Sequence, residues 1–389
     1  MENSDYKFET IAIRTQSEQT QNREHSTPLY LTSSFTFENA QQGAAIFNGE
    51  ELGNLYSRFS NPNTSEFVDK LCLMEHCEAG LATASGMAAV YTSFASLLAQ
   101  GDHILASKDI FGNATYIITQ LLPKMGIEYT LVDVDDKAAW KNGIQKNTKL
   151  VYLETPSNPT LKIADMKFLA DLCKEHNIIS IVDNCFATPY LQQPSDFGID
   201  LVLHSATKYI DGQGRVLGGA VLGKSHLISQ CYEFLRRTGA SLSPFNAWVL
   251  SKSLETLAIR MDRHCSNASA IAEWLENNKR VDNVSYPFLS SNPQDALAKK
   301  QMKLGGGLVA FELQGGSSKA MQFVNNLKIH SLTANLGDCR SIATHPASTT
   351  HSKLNEQQQQ EMGITPGYIR LSVGLENVED LIQDLDQAL

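Results

Sequence analysis

Between residues 104 and 222 the chain repeats one pattern, a short apolar run followed by a longer stretch of helical or polar character. The runs are Ile104-Leu105-Ala106, Tyr129-Thr130-Leu131-Val132, Leu150-Val151-Tyr152-Leu153-Glu154, Ile178-Ile179-Ser180-Ile181-Val182-Asp183, Leu201-Val202-Leu203 and Gly219-Ala220-Val221-Leu222. Strands this apolar must be covered on both faces. Helical stretches around Thr115–Met125 and Met166–His176 separate them. The pattern predicts an α/β fold with a mainly parallel sheet and helices on either side.

The flanks read differently. Residues 1 to about 60 are polar and turn-rich, with Pro28, Pro62 and many Ser, Thr and Asn. They read as an arm, 1–60, that packs on a neighbouring subunit. From Thr64 to about Leu98 the pattern is helical, broken at Ser85-Gly86. The large domain is assigned to 61–244. Near Ser243–Asn246 the character changes. One long helix is predicted from Phe245 through Arg260 to Leu275. Strands at Leu308–Leu313 and Tyr368–Val373 follow, then a helix at Val378–Leu389. This is a smaller C-terminal α+β domain, 245–389. No internal repeat is evident, and Gln357–Gln360 reads as solvated surface.

Composition excludes several classes. A chain of 389 residues buries a large core. A net charge of -10 argues against binding nucleic acid through a basic face. No apolar run is long enough to span a membrane. The start, Met1-Glu2-Asn3-Ser4-Asp5, does not resemble a secretory leader. The seven cysteines form no C-x-x-C pair, which reads as reduced thiols in a cytoplasmic protein. Cys72 and Cys77 lack a second pair, so no metal site is assigned.

Polar residues collect at the carboxyl ends of the predicted strands, where open α/β sheets bind ligands. Asp183 ends one strand. Glu154 ends another and opens Glu154-Thr155-Pro156-Ser157-Asn158-Pro159. Leu201-Val202-Leu203 delivers His204-Ser205-Ala206-Thr207-Lys208-Tyr209, then a glycine-rich tract from Gly212 to Gly219. A lysine beside hydroxyls at the end of a buried strand suits covalent capture of an aldehyde next to a phosphate. Pyridoxal phosphate needs such a lysine, a carboxylate facing the ring nitrogen, donors for the phosphate and a flat side chain over the ring. Lys208 and Asp183 meet the first two needs. Ser85-Gly86-Met87-Ala88-Ala89 offers small residues at a helix start for the third, with the hydroxyls of Ser205 and Thr207. Phe111, before Gly112, supplies the flat face.

These motifs carry a resemblance that runs essentially end to end. With Tyr56-Ser57-Arg58 and Asn61-Pro62-Asn63-Thr64 near the start, and Arg370-Leu371-Ser372-Val373-Gly374-Leu375-Glu376 near the end, the chain resembles the pyridoxal-phosphate enzymes of Cys/Met metabolism. That trans-sulfuration family includes cystathionine γ-synthase, the γ-lyases and the homoserine-ester sulfhydrylases. The resemblance implies a type I (aspartate aminotransferase-like) fold and a homotetramer built as a dimer of dimers. It implies that Tyr56 and Arg58 reach the neighbouring subunit's cofactor phosphate, where an arginine fork suits phosphate. It also implies that Arg370 clamps the substrate α-carboxylate, with Asn158 close by and Asn335 in the substrate site.

Departures from the family pattern narrow the expectation. A tyrosine is usual over the cofactor ring; this chain has Phe111. In the lyases that hydroxyl is thought to help the γ-group depart, so phenylalanine suits a substrate whose leaving group is already good. Asn335 replaces the usual serine before Leu336-Gly337, and Cys185 replaces a common threonine. Lys208–Arg215 and Thr344–His351 are most similar to the O-succinylhomoserine sulfhydrylase branch. His345 and His351 read as hydrogen-bonding loop residues near the substrate entrance. The expected reaction is a transferase reaction of methionine biosynthesis. O-succinyl-L-homoserine, or the O-acetyl ester, exchanges its γ-substituent for sulfide, giving L-homocysteine. Alternatives are cystathionine γ-synthase with cysteine as nucleophile, a methionine or cystathionine γ-lyase, and a non-catalytic pyridoxal-phosphate-binding protein.

Overall fold

The computed structural model describes residues 6–352 and 355–389. The first five residues, which bear the expectation about a leader, lie outside that range. Seven strands form the large sheet: β1 (Ala79–Thr83), β2 (His103–Ser107), β3 (Glu128–Val132), β4 (Thr148–Glu154), β5 (Ile179–Asp183), β6 (Leu201–Ser205) and β7 (Gly219–Gly223). Their order is β1-β7-β6-β5-β4-β2-β3. The run from β6 to β3 is parallel, and β7 runs antiparallel to both β6 and β1. The sheet is mainly parallel, as the apolar runs require.

Helices cover both faces. On one, Val90 and Phe94 of helix α4 (Gly86–Leu97) cluster with Leu203, Val221 and Leu235. On the other, Leu169 and Cys173 cluster with Leu153 and Val182. Among the described residues no helix is long and apolar enough to cross a membrane.

The strand β1 is absent from the sequence reading. Ala79-Gly80-Leu81-Ala82-Thr83 has little of the bulk that marks strands. Its small residues serve close packing instead. A Cβ on Gly80 would lie 2.5 Å from Leu222 and 2.8 Å from the Cys72 sulfur.

The predicted helix through 245–275 is two helices, Pro244–Leu254 and Leu257–Glu276. No glycine or proline marks the break; there the Ser253 carbonyl turns to other donors. The Ser253 carbonyl accepts from Thr256 N at 3.2 Å and from Arg260 Nη2 at 3.0 Å. Arg260 is buried and also donates to the carbonyls of Tyr209 at 2.6 Å and Ile210 at 3.2 Å. The break therefore ties the second helix to the turn that carries Lys208. Gly212 is left-handed, with φ 67°, and a Cβ there would sit 2.1 Å from Arg260 Nη1.

Helix α1 (Phe8–Arg14) packs on its own chain, burying Ile11 and Ala12 beside Phe67 and Leu71 of helix α3 (Pro62–Glu75). The segment around helix α2 (Ala40–Asn48) behaves otherwise. It leaves Leu31, Phe47 and Leu52 at 69%, 60% and 98% exposure. The most exposed large apolar side chains of the N-terminal region thus lie in its second half.

The second sheet has five strands: β8 (Val281–Ser285), β9 (Leu308–Leu313), β10 (Ser331–Leu332), β11 (Ile342–Thr344) and β12 (Tyr368–Ser372), in the order β10-β11-β12-β9-β8. Leu381 and Leu385 of the C-terminal helix Val378–Ala388 pack on Leu371 and Phe311. Asp384 of that helix clips the approach to β10. It accepts N–H groups of Lys328 (2.8 Å), Ile329 (2.9 Å) and His330 (3.2 Å), and its Oδ2 lies 2.9 Å from His330 Nδ1. Burial raises the Asp384 pKa, but the His330 ring and the three amides overcome it and hold the carboxyl at about 2.

A carboxyl depressed on folding stabilises the native state above its unfolded pKa, and the stabilisation is lost as pH falls through the folded value. Asp384→Asn should therefore cost about 2 kcal/mol at pH 7. The deficit should shrink as pH falls from about 4 to 2, read from urea midpoints of both proteins.

Candidate active site

A cavity of about 300 Å³ opens at the carboxyl edge of the large sheet. The register explains what converges there. Glu154 pairs with Asp183 across β4 and β5, and Asp183 with Leu203 across β5 and β6. Tyr152 stands two residues before Glu154 and shares its face. Tyr152, Glu154, Asp183 and Ser205 all line the cavity.

Asp183 Oδ1 accepts the Cys185 N–H at 3.0 Å. Burial raises the Asp183 pKa; the Cys185 amide and His204 oppose the rise. Behind it, His204 Nε2 sits 2.5 Å from Glu75 Oε1, which also accepts from Asn184 Nδ2 at 2.8 Å. This buried network fixes the segment that follows β5. Cys185 is a buried thiol whose sulfur accepts the Ser205 N–H at 2.7 Å, tying the ends of β5 and β6.

Lys208 lies in the turn after β6, partly buried, with Nζ donating to Asn335 Oδ1 at 2.7 Å. Burial lowers its pKa, and Arg370 pushes the same way against Asp183 and Glu154. Gly337 lets the 335–338 loop reach this turn. It has φ 74°, and a Cβ there would lie 2.6 Å from Tyr209 N.

Helix α4 (Gly86–Leu97) starts at the cavity. Ser85 caps it, its hydroxyl accepting from Ala88 N at 3.1 Å. The N–H groups of Gly86 and Met87, in the first turn, have no acceptor within the helix. Gly86 makes this approach possible, since a Cβ would fall 2.5 Å from Ser205 Cβ. The Thr207 hydroxyl lines the cavity but also exchanges bonds with Gly218, donating to its oxygen at 3.3 Å and accepting from its nitrogen at 3.2 Å.

Phe111 lines the wall as the residue before helix α5 (Gly112–Tyr116) and is 38% exposed. From the second sheet, β12 delivers Arg370, 2% exposed. Its Nη1 donates to Asn158 Oδ1 at 2.7 Å, and its buried Nε has no partner among the described residues. Burial lowers the Arg370 pKa. This is an oriented fork with hydrogen-bonding capacity to spare.

Ser85, Gly86, Met87, Phe111, Asn158, Asp183, Ser205, Thr207, Lys208 and Arg370 are thus brought together, with Asn335 one bond behind Lys208. Tyr56 and Arg58 are not. The Arg58 guanidinium sits 4.7 Å from the Phe59 ring centroid and donates to the Arg236 carbonyl. His345 is a loop residue, its ring nitrogens 2.7 Å from Ser348 Oγ and 2.9 Å from Pro366 O. His351 is buried, which lowers its pKa to about 4; its Nδ1 lies 2.9 Å from the hydroxyl of Thr350, which lines the cavity. The sequence reading gave no role to the Glu154 side chain, Tyr152 or Thr350. The two-residue spacing of Tyr152 and Glu154 was the available signal.

The model of the Cys/Met metabolism PLP-dependent enzymes, PLP being pyridoxal 5′-phosphate, matches residues 9–389. The chain belongs to that family. An O-succinylhomoserine sulfhydrylase of Pseudomonas aeruginosa is 42% identical over 382 residues, 98% of this chain and 95% of that one. An L-methionine gamma-lyase of Fusobacterium nucleatum is 44% identical over 365 residues, 93% of this chain and 92% of that one. A Campylobacter jejuni protein assigned as an O-acetylhomoserine (thiol)-lyase superposes with a TM-score of 0.95 at 38% identity, covering 98% of this chain and 99% of that one; it carries N′-pyridoxyl-lysine-5′-monophosphate.

This member of the Cys/Met metabolism PLP-dependent family has the type I fold, and PLP is its cofactor. The residues present fit that group. The cavity joins a lysine, a buried carboxylate, unspent helix-start amides and an aromatic face. Gly86→Ala should push α4 away from β6 without unfolding the chain. An overpacked contact costs about 1–3 kcal/mol, so PLP affinity should fall about tenfold or more in equilibrium dialysis. Unchanged affinity would remove the close approach from the account.

Proposed function

We propose that this enzyme catalyses γ-replacement on O-succinyl-L-homoserine or its O-acetyl counterpart, with sulfide as nucleophile, giving L-homocysteine and the free carboxylate. The observation that carries this reading is Phe111. It occupies the cavity wall where the resemblance leads one to expect a tyrosine, and it has no proton to give a departing group. A carboxylate ester needs none, whereas a thiolate leaving group does.

The residues divide the work. Lys208 holds PLP covalently, Asp183 faces its ring nitrogen, and Ser85, Gly86, Met87, Ser205 and Thr207 receive its phosphate. Tyr56 and Arg58 complete that phosphate site in a neighbouring subunit. Their absence from their own chain's cavity, and the exposed apolar residues around α2, support this. We take the protein as a homotetramer with an N-terminal arm, a PLP-binding domain and a C-terminal domain. Bound PLP withdraws electrons from the substrate, making its Cα and Cβ protons labile. Arg370, braced by Asn158, takes the α-carboxylate through its remaining N–H groups. The Lys208 amine, freed when the substrate's own amine takes its place and favoured in its neutral form by burial, removes a proton from Cα and then from Cβ. Asn335, which accepts from Nζ at 2.7 Å, orients the amine. The Cγ–O bond breaks, succinate or acetate leaves, sulfide forms the Cγ–S bond, and Lys208 returns the protons.

A methionine γ-lyase is the second reading, favoured by the 44% identical Fusobacterium relative. Product analysis separates them. With either homoserine ester plus sulfide the PLP-loaded enzyme should form homocysteine in excess of 2-oxobutyrate, and methionine should be a poor substrate. Rapid conversion of methionine to 2-oxobutyrate would overturn the proposal. Phe111→Tyr should raise 2-oxobutyrate formation from methionine by about tenfold or more. An unchanged rate would show that the missing hydroxyl does not set the reaction.

A further inference from the structure

Glu154 is the one buried acid of the cavity that the mechanism above leaves unused. It is 3% exposed and ends β4 beside Asp183 in register. Its Oε2 accepts the main-chain N–H of Phe111 at 2.9 Å. That bond is well placed, because Phe111 precedes α5 and has no side-chain cap of its own.

The charges facing Glu154 are Asp183, Lys208 and Arg370. Among the described residues no ion pair joins Glu154 to a cation. Lys208 Nζ is engaged by Asn335, and Arg370 Nη1 by Asn158. Two carboxylates on adjacent strands, lining one small cavity, do not both ionise without countercharge. Burial pushes the Glu154 carboxyl well above the usual range and Asp183 adds to the rise, against the Phe111 amide, Arg370 and Lys208.

We propose that Glu154 is a positioning residue: as an uncharged carboxylic acid it anchors the Phe111 amide and so sets the Phe111 ring, while Asp183 remains the negative charge beside the PLP ring. The inference rests on the placement of Phe111 over PLP. Turnover of the homoserine esters by the wild-type enzyme tests the function separately.

The conservative variant makes the distinction. Glu154→Gln keeps an oxygen for the Phe111 amide and a neutral donor on the other atom. PLP affinity and the circular dichroism of bound PLP should stay within about threefold of wild type, since no net hydrogen bond is lost. Glu154→Ala should weaken PLP binding about tenfold or more and diminish that signal. In a Phe111→Ala background Glu154→Ala should cost little further, because both changes act through one contact. The infrared band of a protonated carboxylic acid should be present in wild type and missing in Glu154→Gln, a readout that needs neither turnover nor the alanine variant to fold. The proposal fails if Glu154→Gln loses as much as Glu154→Ala, if the two alanine changes add, or if no such band distinguishes wild type from Glu154→Gln.

Discussion

A carboxylate set into the closed end of a parallel sheet is the constraint on which the rest of this molecule turns. Asp183 lines a cavity at the end of β5, with apolar strands on either side and a single backbone amide bonded to Oδ1. Burying a charge is costly unless something compensates it. The surroundings provide partial compensation through the Cys185 amide and the His204–Glu75–Asn184 network. In the proposed site, bound PLP would supply the positive partner that is missing. The same burial acts on Lys208 in the opposite sense and favours its neutral amine. One feature of the fold, low access to water at a strand edge, thus opposes charge on both groups: it readies the lysine as a base and makes the Asp183 anion depend on a positive partner.

The frame around that edge is built to close tolerances. Gly86 and Gly80 allow elements to approach where any Cβ would collide. Arg260, in a helix of the C-terminal part of the chain, grips the carbonyls immediately after Lys208. Arg370 and Asn335 also come from beyond residue 330, and both touch groups of the large sheet's edge. The site is therefore a junction of two sheets, and movement of the smaller one would be felt at Lys208 and Asn158 directly.

The sheet was legible because its apolar runs must be covered on both faces, and that requirement survives any tertiary detail. The polar residues at the strand ends were legible for the same reason, since fold and chemistry pointed to one edge. What escaped has identifiable causes. β1 consists of small residues whose task is proximity, which carries no strand periodicity. At the break Glu255-Thr256 the Ser253 carbonyl accepts from Thr256 and from the Arg260 side chain, and no glycine or proline announces that turn. The first helix packs on α3 through Ile11 and Ala12, only two residues in a polar stretch. Glu154 was visible as a strand end, yet its bond to the Phe111 amide depends on a loop whose path the sequence does not disclose.

The account stands on Lys208 as the covalent anchor of PLP. Borohydride reduction of the purified holoenzyme, followed by peptide mapping, tests this directly. The pyridoxyl mass should appear on the peptide containing Lys208, and Lys208→Ala should yield no labelled lysine and no turnover. Label on any other lysine, or retained activity in that variant, would contradict the account.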